Sequence, residues 1–393
     1  MARPLHRCSL AALPWTRDES FTPRHVSSLQ TPAFLVDLPT LKLNCQTMIE
    51  RCTRAGVNLR PHMKTAKTWE AGFYMTNETR RRITVSTVGE ASFFAEGGFD
   101  DILLAFPMTK NKLKPVAELM QQLEQVHIVV DSKEAVKAIK DFDGKLPVGR
   151  KWSVLVIVDV GYGRLGVPIA DSAGILELIR DMVDCENIQF SGLYTHTGQA
   201  YDARESGQVQ KLLSQTVESI SDLAKTIRAS GIDCPIVSIG STPTCSVAKN
   251  DLGAVTEIHP GNYIFYDWEQ RLIGSCTESE IACTVQVTVM SHYPSKGHMV
   301  IDSGWTGMSL DKDKNETGFG AVVRETDLEL FSMSQEVGKV RSKSGSLNYE
   351  KYPIGSSLWL YPYHSCATAY HHPSYFICDG EMVIDEWIPH RGW

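Results

Sequence analysis

Two glycine-containing loops in the second half of the chain have the residue types that bind an anion. Gly240–Thr244 follows the predicted strand Ile236–Ile239, and His259–Tyr263 lies within the segment Glu257–Phe265, predicted as an eighth strand. Glycines let backbone N–H groups approach an anion, and Ser and Thr hydroxyls add donors without a lysine. Either loop alone is as consistent with an ordinary turn. Together, where βα barrels bind phosphate after strands seven and eight, they favour a phosphorylated ligand.

A lysine near the amino end of the same region is a candidate for covalent chemistry. Lys64 lies in the segment RPHMKT at 60–65, directly after the predicted strand Val57–Pro61. A lysine at a barrel mouth that faces a phosphate site is placed to form a Schiff base with an aldehyde, and partial burial would lower its pKa. Pyridoxal 5'-phosphate is the aldehyde that this combination suggests. The alternative is a solvated lysine, which is what we expect of Lys67.

A histidine and a cysteine late in the chain could share a metal ion. His364 and Cys366 follow the predicted strand Leu358–Tyr361, and if the extended backbone continues through them, both side chains point to one face. Imidazole and thiolate are zinc ligands, and two protein ligands alone leave coordination positions open for water or substrate, as in a catalytic site. The alternative is that Cys366 is a buried packing residue.

The segment GYGRLG at 161–166 matches the dinucleotide-binding pattern Gly-x-Gly-x-x-Gly. A nucleotide fold would place an acidic residue at the end of the next strand, but that strand ends in GLYTH at 192–196, without one. We therefore interpret these glycines as a tight loop after a strand that brings Arg164 towards the site.

Short apolar segments alternate with helical periodicity between about Val57 and Asp267, which predicts an α/β fold with a closed (β/α)8 TIM-type barrel. Helical spacing is clearest over Glu90–Glu96 and Gln208–Ala229. The predicted strands are Val57–Pro61, Ile83–Ser86, Asp101–Phe106, His127–Val130, Ser153–Val158, Ile188–Thr195, Ile236–Ile239 and Glu257–Phe265.

After Cys276 the pattern changes to alternating strand-like segments joined by turns rich in Gly, Ser and Asp, which predicts a C-terminal β domain. We predict that residues 30–273 form the cofactor-binding barrel. Residues 274–393, with part of 1–29, are predicted to form the β domain that carries the metal ligands.

Composition excludes several partner classes. The 393 residues include 39 Lys and Arg against 46 Asp and Glu, so the formal net charge is −7 and no cationic surplus exists to neutralise nucleic-acid phosphates. Apolar runs such as Val154–Val158 are far shorter than the ~20 residues that a membrane span needs, so we expect no membrane partner. The ten cysteines include no Cys-x-x-Cys pair, which predicts reduced thiols and a cytoplasmic location.

The chain closely resembles the eukaryotic D-serine dehydratases, which belong to the alanine-racemase-like, fold-type III pyridoxal phosphate enzymes. The likeness extends from Thr31 to Trp393. Its most specific segments are RPHMKT at 60–65, GGFDDILLA at 97–105, SIGSTP at 238–243, HPGNYIFYD at 259–267 and PYHSCATA at 362–369.

The resemblance implies roles for individual positions. By this resemblance, Lys64 would form the Schiff base with the cofactor, and Thr242, Gly261 and Asn262 would bind its phosphate. Tyr194 and Tyr201 would contact the cofactor, and His364 and Cys366 would bind Zn²⁺. Related D-threonine aldolases carry an aspartate in place of Cys366, and a thiolate selects zinc where a carboxylate suits manganese or magnesium. One departure is Ala66, where relatives commonly have histidine.

The activity that the resemblance implies is an ammonia-lyase reaction, in which D-serine gives pyruvate and ammonia. Lys64 would remove the α-proton and zinc would assist loss of the β-hydroxyl. Alternatives on the same scaffold are a D-threonine aldolase, another lyase of D-3-hydroxyamino acids, or a racemase; a non-catalytic pyridoxal phosphate carrier would have no use for His364 and Cys366. The family is dimeric, so a homodimer is expected from the resemblance alone.

Overall fold

The computed structural model describes residues 21–248, 252–312 and 318–393. Its strands are β1 (Arg24–His25), β2 (Ala33–Asp37), β3 (Asn58–Leu59), β4 (Ile83–Val85), β5 (Asp101–Pro107), β6 (Gln125–Val130), β7 (Trp152–Asp159), β8 (Val167–Pro168), β9 (Ile188–His196), β10 (Ile236–Gly240), β11 (Glu257–Ile258), β12 (Cys283–Tyr293), β13 (His298–Ile301), β14 (Gly320–Val322), β15 (Leu328–Met333), β16 (Gly338–Ser342), β17 (Ser357–Pro362), β18 (Tyr375–Asp379) and β19 (Met382–Trp387).

The helices connect and cover these strands. They are α1 (Leu38–Ala55), α2 (Trp69–Met75), α3 (Val88–Glu96), α4 (Lys110–Leu119), α5 (Lys133–Lys140), α6 (Ser172–Val183), α7 (Ser206–Ala229), α8 (Thr242–Ser246), α9 (Trp268–Ile273), α10 (Trp305–Met308) and α11 (Ser365–His371). Within the described residues no helix is both long and apolar enough to cross a membrane.

The predicted barrel is confirmed. Strands β4, β5, β6, β7, β9, β10 and β11 pair in parallel in chain order, and β11 returns to β3. The remaining gap is bridged in parallel between His62 and Thr84, where the Met63 amide donates to the Thr84 carbonyl at 2.8 Å. Strand β7 is buried along nearly its whole length, as expected where helices cover one face and the barrel interior the other.

The eighth strand is much shorter than predicted. It ends at Ile258, and the residues up to Phe265 form a loop and a single 3₁₀ turn at Asn262–Ile264. Pro260 has no N–H to donate to a neighbouring strand, so the ladder stops before the loop. The prediction of a strand over 257–265 was therefore wrong beyond its first residues.

A second, mostly antiparallel sheet forms the β domain. Its strands follow the order β1-β19-β18-β2-β12-β13-β16-β15, with β17 paired to β12 and β14 paired to β17. Strand β2 lies within the range predicted for the barrel, yet it pairs with β12 and β18 of this sheet. The chain therefore enters through the second sheet before α1 begins the barrel. The boundaries 30–273 and 274–393 stay a prediction, and residues 1–20 lie outside the described part.

Candidate active site

Two adjoining cavities lie at the carboxyl ends of the barrel strands, with volumes of about 260 and 300 Å³. Both are bordered by His62, Lys64, Tyr162, Arg164 and His196. The first cavity brings together seven of the eight predicted site residues, namely Lys64, Tyr201, Thr242, Gly261, Asn262, His364 and Cys366. The eighth, Tyr194, borders the second cavity.

Lys64 is positioned by the closure of the barrel. The residue before it, Met63, is buried and hydrogen-bonded to β4, so the backbone on which Lys64 stands is part of the barrel wall. Burial and the positive charge of Arg164 lower the pKa of Lys64, although the Cys366 thiolate opposes part of that shift. Within the described residues its amine makes no ion pair, so a larger fraction of it is neutral than of an ordinary lysine.

Three histidines of the cavities, His62, His196 and His259, are held in the neutral form. Burial and the charge of Lys64 lower the pKa of His62 and His196 well below the usual value and that of His259 to about 3. The His259 Nδ1 contacts the Ser238 hydroxyl at 2.9 Å, and its ring stacks on Tyr194 with centroids 4.1 Å apart. Its Nε2 is buried and has no hydrogen-bond partner among the described residues.

The two predicted phosphate loops are in contact with each other and with the lysine segment. The Gly261 amide donates to the Thr242 hydroxyl at 3.3 Å. A Cβ on Gly261 would lie 2.7 Å from the His62 carbonyl oxygen, so only glycine allows the loop to pack this closely. The same applies to Gly240, where a Cβ would lie 2.5 Å from the His259 ring.

The Asn262 side chain has other partners than the predicted phosphate. Its amide donates to the Asp267 carboxylate at 2.5 Å and to the Ser365 hydroxyl at 2.9 Å, and therefore links the barrel to the segment that carries Cys366. Its Oδ1 is buried without a partner in the described part of the chain.

His364 and Cys366 meet, but not as two residues of one strand. Strand β17 ends at Pro362 and helix α11 begins at Ser365, so the prediction of extended backbone through both residues was wrong. The first turn of the helix nevertheless places the thiol within hydrogen-bond reach of the His364 imidazole. Burial alone would raise the pKa of Cys366, but His364 and Lys64 hold it below the usual value.

Further polar groups surround this pair. The Cys366 sulfur lies 3.1 Å from the Thr65 hydroxyl, and His364 Nδ1 lies 3.1 Å from the Asp311 carboxylate. Burial, opposed by His364, raises the pKa of Glu269, which borders the same cavity. In the described ranges no cluster of three or more His, Cys, Asp or Glu side chains is arranged to hold a metal.

The loop at 161–166 brings Arg164 to both cavities, as predicted. The Asp159 carboxylate accepts hydrogen bonds from the amides of Gly161, Tyr162 and Gly163 at 2.9–3.1 Å, which folds the loop over the end of β7. The Arg164 guanidinium lies 5.2 Å from the Tyr162 ring centroid.

Sequence reasoning missed several residues of the cavities, namely His62, Tyr162, His196, His259, Glu269 and Trp393, and also Thr65, which contacts Cys366. Position alone could have found His196 and His259, because one ends the sixth barrel strand and the other directly follows the eighth. No local pattern marks Glu269 or Trp393, since the fold brings them to the site from α9 and from the end of the chain.

Comparisons with known proteins agree with this architecture. The family model "Alanine racemase, N-terminal domain" matches residues 36–267, and "Putative serine dehydratase domain" matches residues 282–378. The D-serine dehydratase of Dictyostelium discoideum is 34% identical over 94% of this chain and 98% of its own length. The D-serine dehydratase of Schizosaccharomyces pombe is 29% identical over 95% of both chains.

A solved structure is also similar to this chain over almost its whole length. The D-threo-3-hydroxyaspartate dehydratase from Delftia sp. HT23 superposes with a TM-score of 0.87 at 31% identity, covering 94% of this chain and 100% of its own. A mutant of D-threo-3-hydroxyaspartate dehydratase, with a TM-score of 0.88, is described as a metal-free form. Both the barrel and the β domain therefore have counterparts in relatives that span almost the whole chain.

Proposed function

The chain belongs to the family of eukaryotic D-serine dehydratases, and we propose that it converts D-serine to pyruvate and ammonia with pyridoxal 5'-phosphate and a zinc ion held at the cavity around Lys64. The observation that carries this proposal is the meeting of three features in one cavity. An amine with a lowered pKa lies beside two glycine-containing loops and beside a histidine–cysteine pair.

The residues fit pyridoxal phosphate. Lys64 supplies the amine that would bind the aldehyde, and Thr242, Gly261 and the backbone of Asn262 would bind the phosphate. The buried Nε2 of His259, which has no partner in the described residues, is a polar group available to a ligand. Tyr194, stacked on that ring, and Tyr201 would complete the binding site.

The residues also fit zinc. An imidazole and a thiolate form a donor set that selects zinc, and the carboxylate of Asp311 at the other imidazole nitrogen is the usual partner of a metal-binding histidine. A mutant of D-threo-3-hydroxyaspartate dehydratase, an enzyme with the same fold, is described as a metal-free form, which supports a metal in the enzyme of that name. Two protein ligands would leave positions open for a substrate hydroxyl.

The bound groups would supply the chemistry that amino-acid side chains lack, since the cofactor would withdraw electrons from the α-carbon and zinc would stabilise negative charge on the hydroxyl oxygen. The protein supplies the base and the binding groups. The Lys64 amine, with its lowered pKa, accepts the α-proton. The Arg164 guanidinium, which borders both cavities, binds the substrate carboxylate.

The test is to offer D-serine and D-threonine separately to the purified protein, with and without added zinc after chelation. We expect pyruvate from D-serine, its loss on chelation, and its return with zinc. Glycine and acetaldehyde from D-threonine in place of pyruvate from D-serine would instead identify an aldolase. Undiminished pyruvate formation by the zinc-free protein would contradict the role proposed for His364 and Cys366.

Similarity to the Delftia enzyme favours one second candidate, dehydration of D-threo-3-hydroxyaspartate. Oxaloacetate in place of pyruvate would be its product, so the same assay with that substrate separates the two activities. A homodimer and a cytoplasmic location remain predictions, to be tested by light scattering and by localisation of the tagged protein.

A further inference from the structure

The glycine-rich loop at 161–166 contains a nest of backbone amides, and a carboxylate of the same chain fills it. Gly161 and Gly163 have φ angles of 106° and 72°, which glycine adopts readily and which let neighbouring amides point towards one centre. Asp159 Oδ1 accepts hydrogen bonds from the amides of Gly161, Tyr162 and Gly163 at 2.9–3.1 Å, and its Oδ2 accepts from the Gly163 amide at 3.1 Å. We call these three residues the nest. Its donors, which in a nucleotide site would bind phosphate, are already occupied.

Asp159 also holds the base of the same loop. The Ile169 amide donates to the Asp159 carbonyl at 2.9 Å, and the short strand β8 pairs in parallel with the end of β7 at this point. A Cβ on Gly166 would lie 2.8 Å from the Asp159 nitrogen, so the returning chain packs directly against the residue where the loop begins. Both the nest and the base of the loop are therefore fixed by one residue.

The tip of this loop carries Tyr162 and Arg164, which border both cavities. The Tyr162 ring lies against Gly198, where a Cβ would come within 2.2 Å of it, and is edge-on to the His196 ring with centroids 5.9 Å apart. Arg164 directly follows the nest. In the described part of the chain its guanidinium makes no ion pair, and it lies 5.2 Å from the Tyr162 ring centroid. The position of Arg164 therefore depends on the loop backbone and on the Tyr162 ring.

We propose that Asp159 is a positioning residue of the substrate site, because its carboxylate holds the nest and thereby fixes Arg164 where it binds the substrate carboxylate. The inference deepens the proposed function and rests on it. An arginine binds a carboxylate through two parallel N–H donors, so affinity depends on the placement of the guanidinium as well as on its charge. An arginine on a loose loop must be ordered when the substrate binds, and that ordering lowers the affinity.

The sign of the effect separates positioning from electrostatics. Asp159 places a negative charge near a site that binds an anion, so loss of this charge alone should strengthen binding of the substrate carboxylate. Loss of the nest should weaken that binding instead. Weaker carboxylate binding without the Asp159 carboxylate is therefore expected only if this residue acts through the loop.

Two variants of Asp159 grade the loss of the nest. Asp159→Ala removes every acceptor. In Asp159→Asn the amide oxygen can replace Oδ1, which accepts three of the four hydrogen bonds, so most of the positioning should remain without the charge. Asp171→Ala is the matched control, because Asp171 accepts the Gly174 amide at 2.9 Å at the start of α6 and borders neither cavity.

The measurement is the dissociation constant of D-alanine and of ethylamine, each titrated against the holoenzyme and read from the absorbance of the bound cofactor. Ethylamine is D-alanine without its carboxylate, so the pair isolates the group that Arg164 binds. We expect Asp159→Ala to weaken D-alanine binding by ~10-fold and ethylamine binding by less than ~2-fold. Asp159→Asn should lie between Asp159→Ala and the unaltered protein, and Asp171→Ala should bind both compounds like the unaltered protein.

Two further measurements assign the effect to the loop. In hydrogen exchange of the cofactor-free protein, the amides of the nest should exchange faster in Asp159→Ala than in the unaltered protein. In an Arg164→Met background, Asp159→Ala should cause no further loss of D-alanine affinity, because Asp159 acts through Arg164.

Three outcomes would overturn the proposal. The first is equal weakening of D-alanine and ethylamine, which would indicate only a structural role for Asp159. The second is unchanged or tighter D-alanine binding despite faster exchange at the nest, and the third is additivity of Asp159→Ala and Arg164→Met. Failure of the unaltered protein to form pyruvate from D-serine would instead contradict the proposed function, since the dissociation constants do not depend on turnover.

Discussion

The barrel carries charged groups at two levels, and they are arranged in opposite ways. At the first residues of β5 and β11, Asp101 and Glu257 form ion pairs with Arg60 at 2.7 and 3.0 Å. At the opposite ends of the strands, Lys64 and Arg164 border a cavity and make no ion pair within the described residues. We call these the paired layer and the open layer.

The paired layer satisfies its own polar groups. Both carboxylates raise the pKa of Arg60 against the effect of burial, and His127 continues the contacts to Ser153 at 2.7 Å. In the open layer the largest positive groups lie near neutral histidines instead, so burial and mutual repulsion lower the pKa of Lys64. A buried cation without a carboxylate is costly unless a ligand supplies negative charge.

The comparison shows where the fold is built for its own stability and where it is built for a ligand. The same barrel wall supports both layers, so burial alone does not distinguish them. The difference is that the carboxylates of the paired layer form ion pairs with Arg60, whereas among the described residues none pairs with Lys64 or Arg164. Under the proposed function, an anionic cofactor or substrate would take that place in the open layer. Substitutions in the two layers are therefore expected to act in different directions.

The largest effect is expected from Lys64→Met. Loss of the amine removes the base and the cofactor anchor, so D-serine turnover should fall by ~10⁴-fold and the absorbance of bound pyridoxal phosphate should shift. The free energy of unfolding without cofactor should stay constant or increase, because a buried unpaired cation is removed. A variant with residual absorbance of the lysine-bound form would show that a different lysine anchors the cofactor.

Arg60→Met, in the paired layer, should lower the free energy of unfolding, in contrast to Lys64→Met. The two carboxylates would be left buried without their cation, which is expected to lower the free energy of unfolding by about 3–5 kcal/mol in urea titrations. The triple variant with Asp101→Asn and Glu257→Gln is the control and should recover most of that loss. Equal destabilisation by Arg60→Met and Lys64→Met would contradict the distinction between the layers.

Much of the fold follows from the sequence because strand and helix periodicities are local. Seven of the eight barrel strands lie within a few residues of their predicted bounds, the eighth is shorter than predicted, and the helix predicted over Gln208–Ala229 is α7. The pairing of β2 with the second sheet was not predicted, because nothing local in Ala33–Asp37 distinguishes a strand of one sheet from a strand of another. Such pairing depends on contacts hundreds of residues apart.

The site was predictable where a motif is continuous in the chain. The lysine segment and the two loops lie at consecutive positions, whereas Trp393 and Lys64 come together only in the folded chain. Cys366 and His364 were paired by an argument from extended backbone, yet a helix turn brings them together. Two residues that are two positions apart can meet on one face of a strand, and they can also meet when a helix begins directly after the first of them. The two side chains therefore come together although the predicted backbone conformation was wrong.

A smaller effect is expected from substitution of Asp311, the carboxylate that contacts His364 at the first cavity. Asp311→Asn would replace the acceptor at His364 Nδ1 by a weaker one, and loss of such a partner is expected to weaken zinc binding by ~10–100-fold. Competition with a chromophoric chelator measures the affinity. Asp222→Asn, at an exposed carboxylate on α7, is the matched control and should bind zinc like the unaltered protein.

The smallest effect should be common to both layers and concerns pH. Burial lowers the pKa of His127 in the paired layer and of His259 in the open layer to about 3. Between that value and the ordinary pKa of ~6.5, the unfolded chain binds protons that the folded chain does not, so stability rises with pH in this window. Each histidine should contribute about 1.4 kcal/mol per pH unit near pH 5.

His127→Gln and His259→Gln should each reduce the slope of unfolding free energy against pH by one such increment, measured by urea unfolding between pH 4.5 and 6. A reduction with only one of the two variants would show that burial does not act equally in the two layers.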